Sequence, residues 1–283
     1  MKQVYSSAWS INDTYILKRN TNASELEKSV SLSNMLVSDN IPVPKYFQTI
    51  NKDSYVYFDG EYNYCLMSKF SGHHIYPFLG DCAQIGKKLG KIVANLHKSL
   101  KKIGKYFDYY DADIIKELDG WIVHEVREKN LEISQEIIDK CYEFERLYSK
   151  LPRQLIHRDM HLGNLIFDND NFIGYLDFDI SQYNVRIFDI CYLGAGLLVE
   201  NYQDANRLSL WQDIFRGILE GYEEISLLSS DEKQAIPMMF LMIELLFTAY
   251  YSKIGQAETS RSCIHMTNWL YNNIDKIQSI TYK

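Results

Sequence analysis

Residues that interrupt or staple a fold are scarce in this chain: its 283 residues include 5 prolines, 14 glycines and 5 cysteines. The cysteines, at 65, 82, 141, 191 and 263, are odd in number and form no Cys-x-x-Cys pair. That favours reduced, mostly buried thiols in the cytosol over a disulfide framework or a thiolate zinc site. No basic tract occurs, and the formal charge is −7, which argues against broad contact with nucleic acid or an anionic membrane. A cationic or neutral small substrate suits that balance better. The opening MKQVYSSAWS lacks the apolar core of a signal peptide. The longest apolar stretch, 236–251, contains Pro237 and Glu244 and is too short to span a bilayer, so it predicts a buried core helix. These absences predict a soluble, cytoplasmic protein with neither a membrane nor a nucleic-acid partner. A composition that is 46% hydrophobic and 24% charged supports one large or two modest domains with a buried core.

Periodicity divides the chain in two. Val4, Ala8 and Ile11 precede the turn Asn12-Asp13, and Thr14-Tyr15-Ile16-Leu17-Lys18 reads as a β-branched and aromatic strand. From 23 to 39 the pattern turns helical, with Ser24 as a candidate N-cap and Leu26, Val30, Met35 and Leu36 on the apolar face. Ile41-Pro42-Val43-Pro44 ends that helix, and three further strands are expected over 46–50, 55–58 and 64–70. After Ser71-Gly72 helices dominate: 81–101, 112–130, 134–151, then near 187–202, 207–225, 230–253 and 260–277. The expectation is an α+β chain with a small antiparallel sheet lobe, 1–70, and a larger, mainly helical lobe, 71–283.

The stretch from 155 to 189 breaks the helical run. Apolar residues at 165–167 and 172–176 flank Asp168-Asn169-Asp170-Asn171, the pattern of a tight β-hairpin. Such a hairpin brings His157, Asp159 and Asn164 near Asp177 and Asp179. Acids and an amide gathered at one point require a cation among them, and oxygen donors of this kind suit Mg²⁺ shared with phosphate oxygens. The pattern predicts a phosphoryl-transfer centre. A surface loop, or zinc held by His157-x-Asp159-x-His161, is the competing interpretation; nothing nearby completes a zinc set.

His157-Arg158-Asp159-Met160-His161-Leu162-Gly163-Asn164 fits H-R-D-x-x-x-x-N, and Asp177-Phe178-Asp179 stands where kinases carry a metal-binding Asp. With Arg186-Ile187-Phe188-Asp189-Ile190, and Gly86…Leu89-Gly90…Ala94-Asn95-Leu96-His97, the chain resembles the aminoglycoside phosphotransferase and choline kinase group of the protein-kinase-like superfamily. Neither Asp-Phe-Gly nor an Ala-Pro-Glu signature is present, which disfavours a protein-directed kinase. The resemblance implies a two-lobed kinase-like fold moving the γ-phosphoryl of ATP, with GTP left open, to a hydroxyl of a small molecule. It assigns Asp159 to the acceptor hydroxyl and Asn164 and Asp177 to Mg²⁺. His157 and Asp189 become supports of the catalytic loop, and Asp179 a further metal neighbour. Lys18 matches the strand lysine that pairs the α/β-phosphates, with Glu25 or Glu27 as its acid partner on the following helix. Backbone groups near Met67, Ser68 and Lys69 would bind the adenine edge, with Leu66 against its face. Only Tyr5-Ser6-Ser7-Ala8-Trp9-Ser10 stands where the family has a Gly-rich loop, so the first hairpin must be very short.

Substrate signals are thinner. Asp108-Tyr109-Tyr110-Asp111-Ala112-Asp113, Glu117, Asp119 and Trp121 mix acids with aromatics, which suits an amine-bearing acceptor but also an ordinary solvated helix start. Aminoglycosides, choline, homoserine and sugars all remain acceptors under the resemblance. The different class in contention is a pseudokinase-like ligand-binding module.

Overall fold

A computed structural model describes residues 1–281. The chain forms two compact units: 1–76 with 99–108 and 157–181, and 77–98 with 109–156 and 182–283. The division is therefore not a single cut near residue 70, because the hairpin segment belongs with the N-terminal residues.

In the first unit the strands β1 (Lys2–Tyr5), β2 (Ala8–Ile11), β3 (Tyr15–Asn20), β4 (Tyr46–Phe47), β5 (Val56–Phe58) and β6 (Asn63–Ser68) form one antiparallel sheet, ordered β1-β2-β3-β6-β4 with β5 also on β6. The β1–β2 turn is only Ser6-Ser7, since Tyr5 pairs with Ala8. Asn12 and Asp13 both have positive φ (50° and 54°), and Thr14 N–H donates to Ile11 O at 3.1 Å. This is the mirror-image turn that matches strand twist, and Asn and Asp tolerate it. Helix α1 (Ala23–Ser38) is capped by Asn22, whose side chain accepts from Ser24 N–H; Ser24 is thus a first-turn residue, not the cap. Left-handed Asn40 (φ 61°) follows the helix end. Leu26 and Val30 of α1 pack on Cys65, Tyr46 and Val56 of the sheet. Strands β8 (Leu165–Asp168) and β9 (Asn171–Tyr175) form the expected hairpin. Its first strand is pinned by His73, which exchanges both backbone hydrogen bonds with Phe167 at 2.8 and 2.9 Å. A Cβ on Gly72 would lie 2.5 Å from Phe167 O, so the residue before that pairing must be small.

The second unit holds most of α2 (Cys82–Ile103), then α3 (Ile114–Glu117), a π-turn (Leu118–Ile122), α4 (Val123–Glu128), α5 (Gln135–Glu143), α6 (Glu145–Tyr148), α7 (Ile187–Leu198), α8 (Ala205–Glu223), α9 (Ser230–Lys253), α10 (Ala257–Asn272) and α11 (Ile274–Thr281). Asn273 separates α10 from α11, where periodicity predicts one helix. Gly86 and Gly90 of α2 face Ile214 O and Ile218 O, and Gly217 and Gly221 of α8 face Ala83 O and Lys87 O. Added Cβ atoms there would lie 2.0–2.2 Å from those oxygens; the two backbones touch through glycine. Helix α9 is apolar and long enough to cross a membrane, yet 78% of its apolar window is buried within the protein. Its Pro237 cannot bond the carbonyl of Lys233, and Gln278 of α11 donates to that oxygen at 3.2 Å instead. All five cysteines are buried and free.

One pairing was not evident from periodicity. Strands β7 (Arg153–Ile156) and β10 (Gln182–Val185) pair antiparallel, Ile156 opposite Gln182. Residues 157–181 therefore start and finish at adjoining strand ends.

Candidate active site

The catalytic-loop candidates interlock within the first unit. His157 is fully buried. Asp159 N–H donates to its Nδ1 at 3.2 Å, so the ring proton sits on Nε2 and is given to Leu176 O at 2.7 Å. The imidazole thus ties the loop to the strand leading into Asp177, and its ring packs 4.6 Å from that of Phe178. Both nitrogens are committed to backbone, which removes His157 as a zinc ligand. Asn164 donates its amide to Asp159 O at 2.8 Å and to Asp159 Oδ2 at 3.1 Å. Because Asp159 takes the amide nitrogen, the Asn164 carbonyl oxygen is turned away from it. Leu176 N–H donates to the backbone carbonyl of Asn164 at 2.9 Å, one residue before Asp177. Arg158 (φ 75°) and Asp177 (φ 58°) are left-handed, a conformation that costs a non-glycine residue of order 1 kcal/mol.

His161 shapes the turn that precedes Asn164. Its Nδ1 accepts from Gly163 N–H at 3.0 Å, and its Nε2 lies 3.6 Å from Asp159 Oδ2. A Cβ on Gly163 would meet the His161 ring at 2.7 Å, so the H-x-G spacing is the trace of this turn.

Lys18 sits on β3 with its side chain only 14% exposed, and its Nζ lies 3.0 Å from Asp177 Oδ1 and in contact with Asp179 Oδ2. Burial opposes its charge, but the carboxylates of Asp179 and Asp177 more than offset this and hold its pKa above the ordinary lysine value. Asp179 Oδ1 accepts from Ser29 Oγ of α1 at 3.1 Å. Neither candidate helix acid meets Lys18. Glu25 accepts from the Asn20 and Asn22 amides, both at 3.0 Å, and Glu27 is exposed. The reason is helical phase: Ser29, not either glutamate, is on the buried stripe with Leu26 and Val30. Nearby Cys65 is pushed up to about 12 by burial, so it remains a neutral thiol.

Strand register also sorts the sheet faces. Ala8, Cys65, Ile16 and Met67 share the face of Lys18, since Ala8 and Cys65 pair with Lys18, and Met67 with Ile16, in alternation. Leu66 pairs with Leu17 on the opposite face, so Ile16 and Met67, not Leu66, border the Lys18 side. Farther along, Ser68 N–H donates to Lys45 O and Lys69 N–H to Thr14 O, each at 2.8 Å. Ser68 Oγ accepts from Lys45 N–H at 2.9 Å, while Lys69 Nζ reaches Asp13 at 3.0 Å. Those donors hold the sheet end and the β2–β3 turn; Phe70 carries the next backbone N–H along the chain.

Asp189 lies in the second unit, fully buried, and accepts from His97 Nε2 at 2.9 Å; His97 Nδ1 contacts Tyr222 Oη at 2.9 Å. The acidic and aromatic segment dissolves into separate roles. Asp111 pairs with Arg153 at 2.6 Å, Asp113 caps α3, Asp119 accepts from Tyr142 at 3.4 Å, and Trp121 lies under Lys253 at 5.1 Å. Each is a structural contact, as the plainer interpretation of a helix start expects.

Residues 3–228 match the family model described as "Phosphotransferase enzyme family". The homoserine kinase of Zymomonas mobilis subsp. mobilis is 24% identical over 243 residues, covering 83% of this chain and 72% of that protein. Among solved structures, amicoumacin kinase hAmiN in complex with AMP-PNP, Ca²⁺ and Ami superposes with a TM-score of 0.71 at 16% identity, over 98% of this chain and 87% of that one. The GDP complex of aminoglycoside 2'-phosphotransferase-IIIa gives 0.69 at 12% identity, over 96% and 91%. The structural matches share the two-lobed kinase-like α+β fold.

Proposed function

The chain belongs to this phosphotransferase enzyme family, and on that premise we propose that it moves the γ-phosphoryl of ATP to the hydroxyl of a small, amine-bearing molecule. The observation that carries this is the gathering, within one unit, of Lys18, Asp177 and Asp179 with an Asp159 held by Asn164. The transition state of phosphoryl transfer is loose, so positioning and charge compensation do most of the work. Asp159 would orient the acceptor hydroxyl and take its proton, with the Asn164 amide keeping the carboxylate in one rotamer. Lys18 would pair phosphate oxygens. Two carboxylates and an amide carbonyl are hard oxygen donors, too few for an all-protein cage and right for Mg²⁺ that also takes phosphate and water. Asp177, Asn164 and Asp179 would hold it, and it would supply positive charge against the phosphate oxygens. The Ser6-Ser7 turn, lacking glycine, would cover the phosphates with hydroxyls and amides; ATP is the first nucleotide to try and GTP the second.

The amine on the acceptor rests on chemistry common to homoserine and the aminoglycosides, each a hydroxyl compound with a cationic nitrogen. We also propose a cytoplasmic location, on the strength of five unpaired buried thiols. The test is a coupled ADP-release screen with Mg·ATP over homoserine and other amino alcohols, aminoglycosides, and sugars without nitrogen. Turnover confined to amine-bearing alcohols is expected. Turnover with the plain sugars alone would remove the amine from the proposal. No turnover and no metal-dependent nucleotide binding would favour a ligand-binding module.

A further inference from the structure

Among the described residues, Lys18 is shared by two carboxylates and meets no third acid. Its Nζ is 3.0 Å from Asp177 Oδ1 and touches Asp179 Oδ2. Asp179 is held in that orientation from behind, because its other oxygen accepts from Ser29 Oγ, and Ser29 is 3% exposed. Glu25 is occupied by Asn20 and Asn22, and Glu27 points to solvent. Among the described residues, then, Lys18 has only these two carboxylate partners, and they have Lys18 as their only ammonium. The α1 position that faces the pair carries a serine hydroxyl, which orients Asp179 without adding charge.

We propose that Lys18 is the built-in counter-ion of the Asp177–Asp179 pair, so that a bare divalent cation binds weakly and metal enters effectively with a nucleotide, whose phosphates offer the lysine another anionic partner. The inference rests on the phosphotransferase interpretation of the site. Its physical basis is charge arithmetic. With Lys18 in place, an incoming cation meets a net charge near −1; without it, near −2. Lys18 is mostly buried, so solvent screens that difference poorly. A divalent ion roughly 5 Å from the lost ammonium should gain about tenfold or more in affinity, even at the dielectric of water. A lysine that merely binds phosphate would show no such gain, since its removal would weaken nucleotide and leave free metal unaffected.

The experiment is calorimetric titration of the full chain with MnCl₂ alone, and separately with Mg·ATP, for the wild type, Lys18→Met and Lys18→Gln. Both variants should bind Mn²⁺ alone about tenfold or more tighter than the wild type and bind Mg·ATP more weakly. The double variant Lys18→Met/Asp177→Asn should lose the gain in Mn²⁺ affinity. Unchanged or weaker Mn²⁺ binding in both single variants overturns the proposal, as does a gain that survives the double variant. Should a single variant be unfolded in metal-free buffer, Mn²⁺ alone should restore its far-UV circular dichroism; a chain that stays unfolded at saturating Mn²⁺ counts against the proposal. The two ideas fail separately. A wild type that binds no Mg·ATP sinks the phosphotransferase interpretation while the Mn²⁺ gain keeps the counter-ion. Normal Mg·ATP binding without the gain does the reverse.

Discussion

The candidate catalytic stretch, 157–179, and the acidic stretch, 108–121, are both rich in polar residues, and their side chains behave differently. In the first, the polar groups meet one another: Asn164 with Asp159, His157 with the backbone of Asp159 and Leu176, and Asp177 and Asp179 on one lysine. In the second, three of the acids have separate partners, with Asp111 on Arg153, Asp113 on helix amides and Asp119 on Tyr142. A residue committed to a cap or a surface ion pair has little left for a ligand. Convergence, not acidity, makes the first stretch the candidate site. A third case is Glu244 in α9, buried and with one carboxylate oxygen lacking a hydrogen-bond partner among the described residues. Its neighbour is the Cys263 thiol, and no cation pairs with it among the described residues.

The comparison would break most decisively in turnover. Asp159→Ala and Asp177→Ala should each lower Mg·ATP-dependent ADP release by about a thousandfold or more, with the acceptor that the screen identifies. Full activity in either variant would refute the assignment of the loop. His157→Ala should cost about 2–4 kcal/mol of stability in urea unfolding, because it removes a fully buried ring and leaves Asp159 N–H and Leu176 O without their partner. It should also depress turnover, since Asp159 loses its anchor.

Glu244 sharpens the contrast through pH. Burial raises its pKa from 4.5 to about 8. The folded chain therefore keeps a proton that the unfolded chain gives up, and stability falls as pH rises from about 4.5 to about 8. Glu244→Gln should remove that slope, gaining on the wild type by a few kcal/mol between pH 5 and pH 8 in paired unfolding curves. Parallel curves would show that the carboxyl is not held protonated. The smallest effect is expected at Asp113→Ala, which removes the α3 cap. It should cost about 1 kcal/mol and leave ADP release intact; a large loss of activity would return that segment to the site.

Much of this was legible in sequence because it is local. The Asp-Asn hairpin, the H-R-D-x-x-x-x-N spacing and the apolar stripe of α2 are written in consecutive residues. Membership of the phosphotransferase family agrees with those same motifs. The partner of Lys18 was not legible, because choosing it requires the phase of α1 against a sheet face, and a glutamate in sequence range can still point to solvent. The same limit hid the β7–β10 pair, whose members are separated by the whole catalytic segment, and the face of β6, where Met67 rather than Leu66 accompanies Lys18.

What the sequence determined by itself is which groups are present and how far apart along the chain, which suffices for a hairpin, a capped helix or a catalytic loop. Only the tertiary structure decided which charges meet. Lys18 and Asp177 are 159 positions apart, and Ser29 reaches Asp179 across 150. Electrostatic energy depends on distance in space and on burial, and neither quantity is stored in the spacing of residues along the chain.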